Sequence, residues 1–209
     1  MARSSVLALL LFLSMQAVAD SPWQDSPHGP MLERIIPPGF TPAMLPERAS
    51  RGARLTQHYC VQCHNLANPA MHDAARWPSV VRRMVPRMQG KGNMGKLMAE
   101  MMAGVQAPSP EETEAIVAYL VKHGQKPIDP KRIPELNAPS AEPFRLACGQ
   151  CHVLPDPRRH TAKEWPAVVA RMQKNMDWMN RVVGSKPVPG EPQLRIEDIN
   201  AFLIRYARR

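Results

Sequence analysis

The sequence predicts an all-α protein made of two tandem helical units. Three observations predict it: a five-residue motif that occurs twice, a repeat that runs far beyond that motif, and apolar spacing that is helical. The motifs are CVQCH at residues 60–64 and CGQCH at residues 148–152. With Cys60 set on Cys148, His64 falls on His152, Pro69 on Pro157, His72 on His160 and Met88 on Met176, all at an offset of 88. WPSVVRRM (77–84) falls on WPAVVARM (165–172) at the same offset, and Tyr119 matches Tyr206 at 87. Two copies of this length are too long and too few for a solenoid, so the pattern is a tandem duplication. Alternating strand patterns bounded by turn residues are absent.

Taken in order, residues 1–19 read as an export signal. Arg3 supplies the positive start, VLALLLFLSM (6–15) the apolar stretch, and Ala17-Val18-Ala19 the cleavage site before Asp20. The apolar run is about half of a bilayer span, so no integral membrane anchor is expected. No cysteine follows the cleavage point, which argues against a lipid anchor. The destination is the periplasm. Residues 20–48 are Pro-rich and weakly periodic, and read as an extended arm.

The first unit covers residues 49–126. Its opening helix begins at Ser50 and ends in the first motif. The stretch from Arg76 to Met88 spaces Val80, Val81, Met84 and Met88 for one helical face. SPEETEAIVAYLVKHG (109–124) has an N-cap serine, acidic residues next to it and a terminal glycine. Residues 127–138 form a linker, since PIDPKRIPELNAPS (127–140) holds four prolines. The second unit covers 139–209, with a helix opening near Ser140 and another in RIEDINAFLIRYARR (195–209). Each unit is small and its aliphatic core thin, so a buried cofactor would supply missing apolar contact.

The two motifs use all four cysteines. In an oxidising compartment, free cysteines pair with one another or are occupied otherwise. Two Cys-x-x-Cys pairs, each followed at once by His, fit covalent haem attachment. In a helical turn, positions i and i+3 share a face and i+4 lies beside them. Two thiols so placed reach two haem vinyl groups, and the next imidazole points at the iron from the same side. Cys60, Cys63 and His64 would hold one haem, and Cys148, Cys151 and His152 the other. A thioredoxin-type dithiol wants one CxxC in a βαβ setting. A zinc site on the four cysteines leaves both histidines without a role.

A methionine opposite the histidine is the arrangement associated with electron transfer, and it raises the potential. The repeat nominates Met84 and Met172, or Met88 and Met176, one turn further on. Met84 and Met172 are preferred because the W-P-x-V-V-x-R-M block fixes them most tightly; Met88 and Met176 read as packing. His72 and His160 are rival ligands that would lower the potentials, but they stand in loop-like sequence. Trp77 and Trp165 read as packing against the haem edge or the next helix, with an indole bond to a propionate as a second possibility. Arg83 and Arg171 face either a propionate or solvent. MGKLMAEMMAG (94–104) has no counterpart in the second unit. Met94, Met98, Met101 and Met102 read as an apolar lid over the first haem in preference to a copper(I) site.

These residues resemble a dihaem c-type cytochrome with two class I-like haem domains joined by a Pro-rich linker. Gly52, eight residues before Cys60, and Phe144, four before Cys148, are similar to first-helix packing positions of that family. Tyr119 and Tyr206 resemble its last-helix aromatics. The W-P-x-V-V-x-R-M block and the A-Y-L at 118–120 are similar to cytochrome subunits that serve periplasmic dehydrogenases. Two departures stand out: many class I domains take the ligand methionine from a later loop, and Ser140 stands where Gly52 does in the first copy.

The resemblance implies two covalently attached haems and one-electron transfer between a dehydrogenase or quinol oxidase and a terminal acceptor. It implies no catalytic residues of the chain's own. The alternative is a peroxidase-like enzyme or gas sensor with one open haem. The net charge of +9 is spread along the chain. It fits a redox partner with an acidic docking surface. Nucleic acid is excluded as a partner by export and by the absence of a dense basic block interleaved with aromatics.

Overall fold

A computed structural model describes residues 23–184 and 195–209, so the export-signal reading of residues 1–19 lies outside the described residues. The described α-helices are α1 (Gly29–Leu32), α2 (Arg51–Cys60), α3 (Trp77–Met88), α4 (Lys96–Met101), α5 (Pro110–His123), α6 (Glu142–Cys148), α7 (Trp165–Val183) and α8 (Ile196–Arg205). Short 3-10 turns join them, and among the described residues only isolated β-bridges form. None of the described helices is long and apolar enough to cross a membrane.

Ser50 starts α2 by accepting the Ala53 N–H at 3.2 Å, so Ala53, Thr56 and Tyr59 turn inward. Ser109 starts α5 with a reciprocal cap. Its hydroxyl accepts the Glu112 N–H at 3.2 Å, and the Glu112 carboxylate accepts the Ser109 N–H at 2.9 Å. The two helices meet at Gly52. A Cβ there would stand 2.4 Å from Tyr119 Cβ, a separation that van der Waals repulsion forbids. Tyr59 then donates its hydroxyl to Glu112 at 2.7 Å, fixing α2 to the first turn of α5. α3 completes this core by burying Trp77 and Val81 against α5.

The second half builds the same layout with different chemistry. α6 and α7 both pack on α8. Ser140 sits in a 3-10 turn, Pro139–Ala141, that precedes α6. The helix therefore starts later than α2, and the Gly52 contact has no counterpart. Phe144, fully buried, instead stacks on Phe202 with ring centroids 4.9 Å apart.

This packing corrects the aromatic pairing read from the sequence. The buried face of α5 is Ile116, Tyr119 and Leu120; that of α8 is Ile199, Phe202 and Leu203. Phe202, not Tyr206, is the partner of Tyr119. Tyr206 takes the place of His123, four residues later in each helix, and packs on Phe202 as His123 packs on Tyr119. A shift of one helical turn preserves the face, so spacing alone could not detect it.

The repeated Trp helices end at different points for a local reason. α3 carries Pro86 near its end and stops before Gly90, whose φ of 70° is left-handed. The aligned positions in α7 are Lys174 and Trp178, and α7 runs on to a left-handed cap at Gly184.

Two segments read as peripheral belong to the cores. In the arm, Leu45 enters the first core and Ile36 and Phe40 pack against it. The Tyr119 hydroxyl donates to the Pro46 carbonyl at 2.7 Å, and Asn65 donates to the Ile36 carbonyl at 3.0 Å. The arm is thus folded back rather than extended. In the linker, Ile133 and Leu136 are buried with Phe144 and Phe202. Its prolines start 3-10 turns at Pro130–Arg132 and Pro134–Asn137, consistent with proline's fixed φ.

Substituting Gly52→Ala is expected to cost about 1–3 kcal/mol, because the added methyl collides with Tyr119 Cβ rather than with a flexible side-chain end. Thermal unfolding of the purified protein measures this. Unchanged stability would show that α2 and α5 can separate freely.

Candidate functional site

Each CxxCH motif begins at the C-terminus of a helix with one face in the core. α2 ends at Cys60 and α6 at Cys148, and the chain continues as a turn through the second cysteine and the histidine. The helix packing described above therefore positions the motif directly. All four cysteines are free thiols. Burial, with Cys63 nearby, pushes the Cys60 thiol up to about 12, and burial alone pushes Cys63 to about 11 and Cys148 to about 12. Burial thus disfavours the thiolate form at these three positions. Among the described residues, no three His, Cys, Asp or Glu side chains gather as a metal cluster, so the two pairs do not converge.

The histidines repeat one geometry. His64 Nδ1 lies 2.7 Å from the Asn65 carbonyl oxygen, and His152 Nδ1 lies 2.8 Å from that of Val153. A carbonyl oxygen only accepts, so Nδ1 carries a hydrogen, and in the neutral ring this tautomer leaves the lone pair on Nε2. Burial also lowers the His64 pKa, against the opposing effect of the Asn65 bond. A neutral imidazole with a free Nε2 and its Nδ1–H held by a carbonyl is the form that ligates iron. Free thiol pairs beside such histidines fit covalent haem.

The other sequence-nominated residues separate into roles. Met84, Met88, Met172 and Met176 are all half-buried on their helices. Met88 packs against the first core, whereas Met84 Sδ lies 4.0 Å from Arg87 Nη1. Trp77 Nε1 donates to the Pro69 carbonyl at 2.8 Å, and Trp165 Nε1 to Pro157 at 2.7 Å. Both indoles are buried with their donor already used, which corrects the propionate alternative. His72 and His160 stand edge-on against these indoles at 5.0 and 4.8 Å. Burial, first among the causes, lowers both their pKa values. Arg83 and Arg171 are exposed.

The methionine-rich segment does reach the first motif. Met98 and Met102 are buried, and Met102 Sδ lies 3.6 Å from Cys63 Sγ. The segment is held by Gln62, inside the motif: its Nε2 donates to the Gln106 carbonyl at 3.1 Å, and its Oε1 accepts the Gln106 N–H at 2.8 Å. The aligned Gln150 donates to the Leu146 carbonyl instead, so the sequence carried no signal for this clamp. A second contact that the sequence concealed is made by Gln125, which reaches His152 from the end of the first unit. A surface cleft of 510 Å³ between α3 and the start of α5 includes none of the motif residues.

Residues 47–120 match the family model described as "Cytochrome C oxidase, cbb3-type, subunit III". The match supports a c-type cytochrome. It encloses Cys60, Cys63 and His64 and stops short of the second motif. Such a domain implies covalently bound haem, redox partners and electron transfer rather than catalysis. No curated protein and no solved structure matches the chain.

Gln62→Ala should release the segment after α4. Hydrogen exchange at the Gln106 amide is expected to accelerate about ten-fold, the effect of losing roughly 1.4 kcal/mol of local protection. An unaltered rate would mean that Met98 and Met102 hold the strap without the clamp.

Proposed function

We propose that the chain is a periplasmic dihaem cytochrome c, exported by cleavage after Ala19. It carries single electrons between a dehydrogenase or quinol oxidase and a terminal acceptor. The observation that carries the reading is the repeated histidine geometry: two motifs, two carbonyl-held Nδ1 atoms, two free Nε2 lone pairs. Two haem domains, over 49–126 and 139–209, are the unit of this reading.

Cys60, Cys63 and His64 would hold one haem and Cys148, Cys151 and His152 the other, with Met84 and Met172 as the further iron ligands. The haem supplies a one-electron iron couple when bound. The chain's own residues fix the imidazole tautomer and orient the ring. In the first unit, Met98 and Met102 add apolar cover beside Cys63.

Partner docking is assigned to a cleft of 430 Å³ formed by both units. Lys122, Lys126, Arg158, Arg159 and Arg208 line it, with Asp156 as the carboxylate. Lys122 is paired with Glu47 at 2.7 Å and Arg208 with Glu164 at 3.8 Å, so Lys126, Arg158 and Arg159 carry most of its uncompensated charge. Such a surface steers an acidic partner and loses its effect as salt rises.

The second reading, an enzyme or gas sensor with one open haem, draws on the asymmetry of the methionine strap. A haem count by pyridine haemochrome and a carbon monoxide difference spectrum on the dithionite-reduced protein separate the readings. Two haems per chain and no carbon monoxide shift are expected for the carrier. One haem per chain would sink the dihaem reading, and stoichiometric carbon monoxide binding would favour the open-haem protein. Met84→Leu and Met172→Leu should each open one haem to carbon monoxide. If Met102→Leu does so in place of Met84→Leu, the first ligand is Met102.

Reversing charge with Lys126→Glu and Arg158→Glu should slow second-order reduction by an acidic partner about ten-fold at low ionic strength. Stopped-flow rates against salt test this, and a rate insensitive to both changes would place docking elsewhere.

A further inference from the structure

We infer that Gln125 raises the potential of the second haem above that of the first, giving electrons a downhill direction from the first unit to the second. The inference rests on the dihaem reading.

Gln125 belongs to the first unit by its backbone and to the second by its side chain. It is only 7 % exposed. Its N–H donates to the His72 carbonyl at 2.8 Å. The preceding Gly124 permits this: a Cβ there would lie 3.0 Å from Ala74 N and 3.2 Å from the Asp73 carbonyl carbon. The side chain crosses to the second motif, where Nε2 lies 2.7 Å from the Val153 carbonyl oxygen and 3.1 Å from His152 Nδ1.

The amide can face Val153 in only one way. Two carbonyl oxygens 2.7 Å apart would repel, so the NH2 group points there and donates. The same oxygen accepts from His152 Nδ1 at 2.8 Å. It has two lone pairs and can take both donors, but each weakens its basicity towards the other. The Nδ1–H bond gives the imidazole anionic character and strengthens Nε2 as a donor, which favours ferric iron. Sharing the acceptor reduces that character, so reduction becomes easier.

The first unit has no equivalent. Among the described residues, the Asn65 carbonyl accepts from His64 Nδ1 alone, at 2.7 Å. The residue that occupies the place of Gln125 in the second unit is Arg208, whose N–H donates to the His160 carbonyl at 2.9 Å. Its side chain turns to Glu164, 3.8 Å away. Two CxxCH motifs are thus given unequal histidines by one glutamine. It acts through His152 and is a positioning residue.

The test is a spectroelectrochemical titration of the holoprotein and of Gln125→Met, which keeps the backbone N–H and the side-chain length but removes the donor. Two one-electron waves are expected for the unchanged protein. In the variant the upper wave should fall by about ten-fold in equilibrium constant, about 59 mV for a one-electron couple, while the lower stays in place. Proton NMR of the reduced, unsubstituted protein gives a reading independent of any variant: the His152 Nδ1–H should resonate upfield of that of His64, as the weaker hydrogen bond. An unmoved or rising upper wave, equal movement of both waves, or a His152 proton downfield of His64 overturns the inference. If the haem count is one per chain, the dihaem reading fails and the inference with it; a count of two with unmoved waves overturns the inference alone.

Discussion

The approach of each CxxCH-bearing helix to the last helix of its unit is the constraint on which the rest of the structure depends. α2 and α6 end at the first cysteine of their motifs, so whatever fixes those helices also fixes the thiols and the histidine that follow. In the first unit the approach is possible because residue 52 has no Cβ, and Tyr119 fills the space. In the second, an aromatic pair joins the two helices, with Phe144 stacked on Phe202. The Trp helix then closes each core, its indole donor bonded to a proline carbonyl in the loop after the motif. That bond ties the loop to the helix carrying the nominated methionines. The motif and the methionines of the Trp helix lie on separate chain segments, so their relative placement holds only while these helices keep their mutual positions.

The two CxxCH motifs share one histidine geometry, while their surroundings differ. The histidine tautomer is set identically in both copies, by the carbonyl of the next residue. Around that shared feature, Gln62 holds a methionine strap while Gln150 bonds within its own helix region. Pro86 and Gly90 stop α3 early, whereas α7 continues to Gly184. The end of α5 delivers Gln125 to the second histidine, and the end of α8 delivers Arg208 to a carboxylate. The junction is joined further by the Ile128 N–H to the Leu154 carbonyl at 2.9 Å. On the proposed dihaem reading such differences matter, because two equal sites would give an electron no preferred direction.

Much of the helical layout was legible because its signals are local. Ser50 and Ser109 mark helix starts through short-range capping, and the apolar spacing of 76–88 marks a buried face. The aromatic register of the last helix was misread. Tyr119 and Tyr206 share a residue type, but burial follows the face, and the face of α8 is Ile199, Phe202 and Leu203. The proline-rich stretches were misjudged for a related reason. Proline reports a restricted φ, not exposure, and Leu45, Ile133 and Leu136 are buried within segments whose composition resembles connectors.

By itself the sequence determined the all-α class and carried the repeat and the two CxxCH motifs, since these follow from residue type at fixed short spacing. A CxxCH motif brings two thiols and an imidazole to one turn wherever that turn is placed. Tertiary structure alone decided which donors surround each histidine. Gln125 lies 27 residues from His152, and Gln106 lies 44 from Gln62. A hydrogen bond across such separations depends on where two independent segments are packed, and nothing in the local spacing of either encodes the other's position.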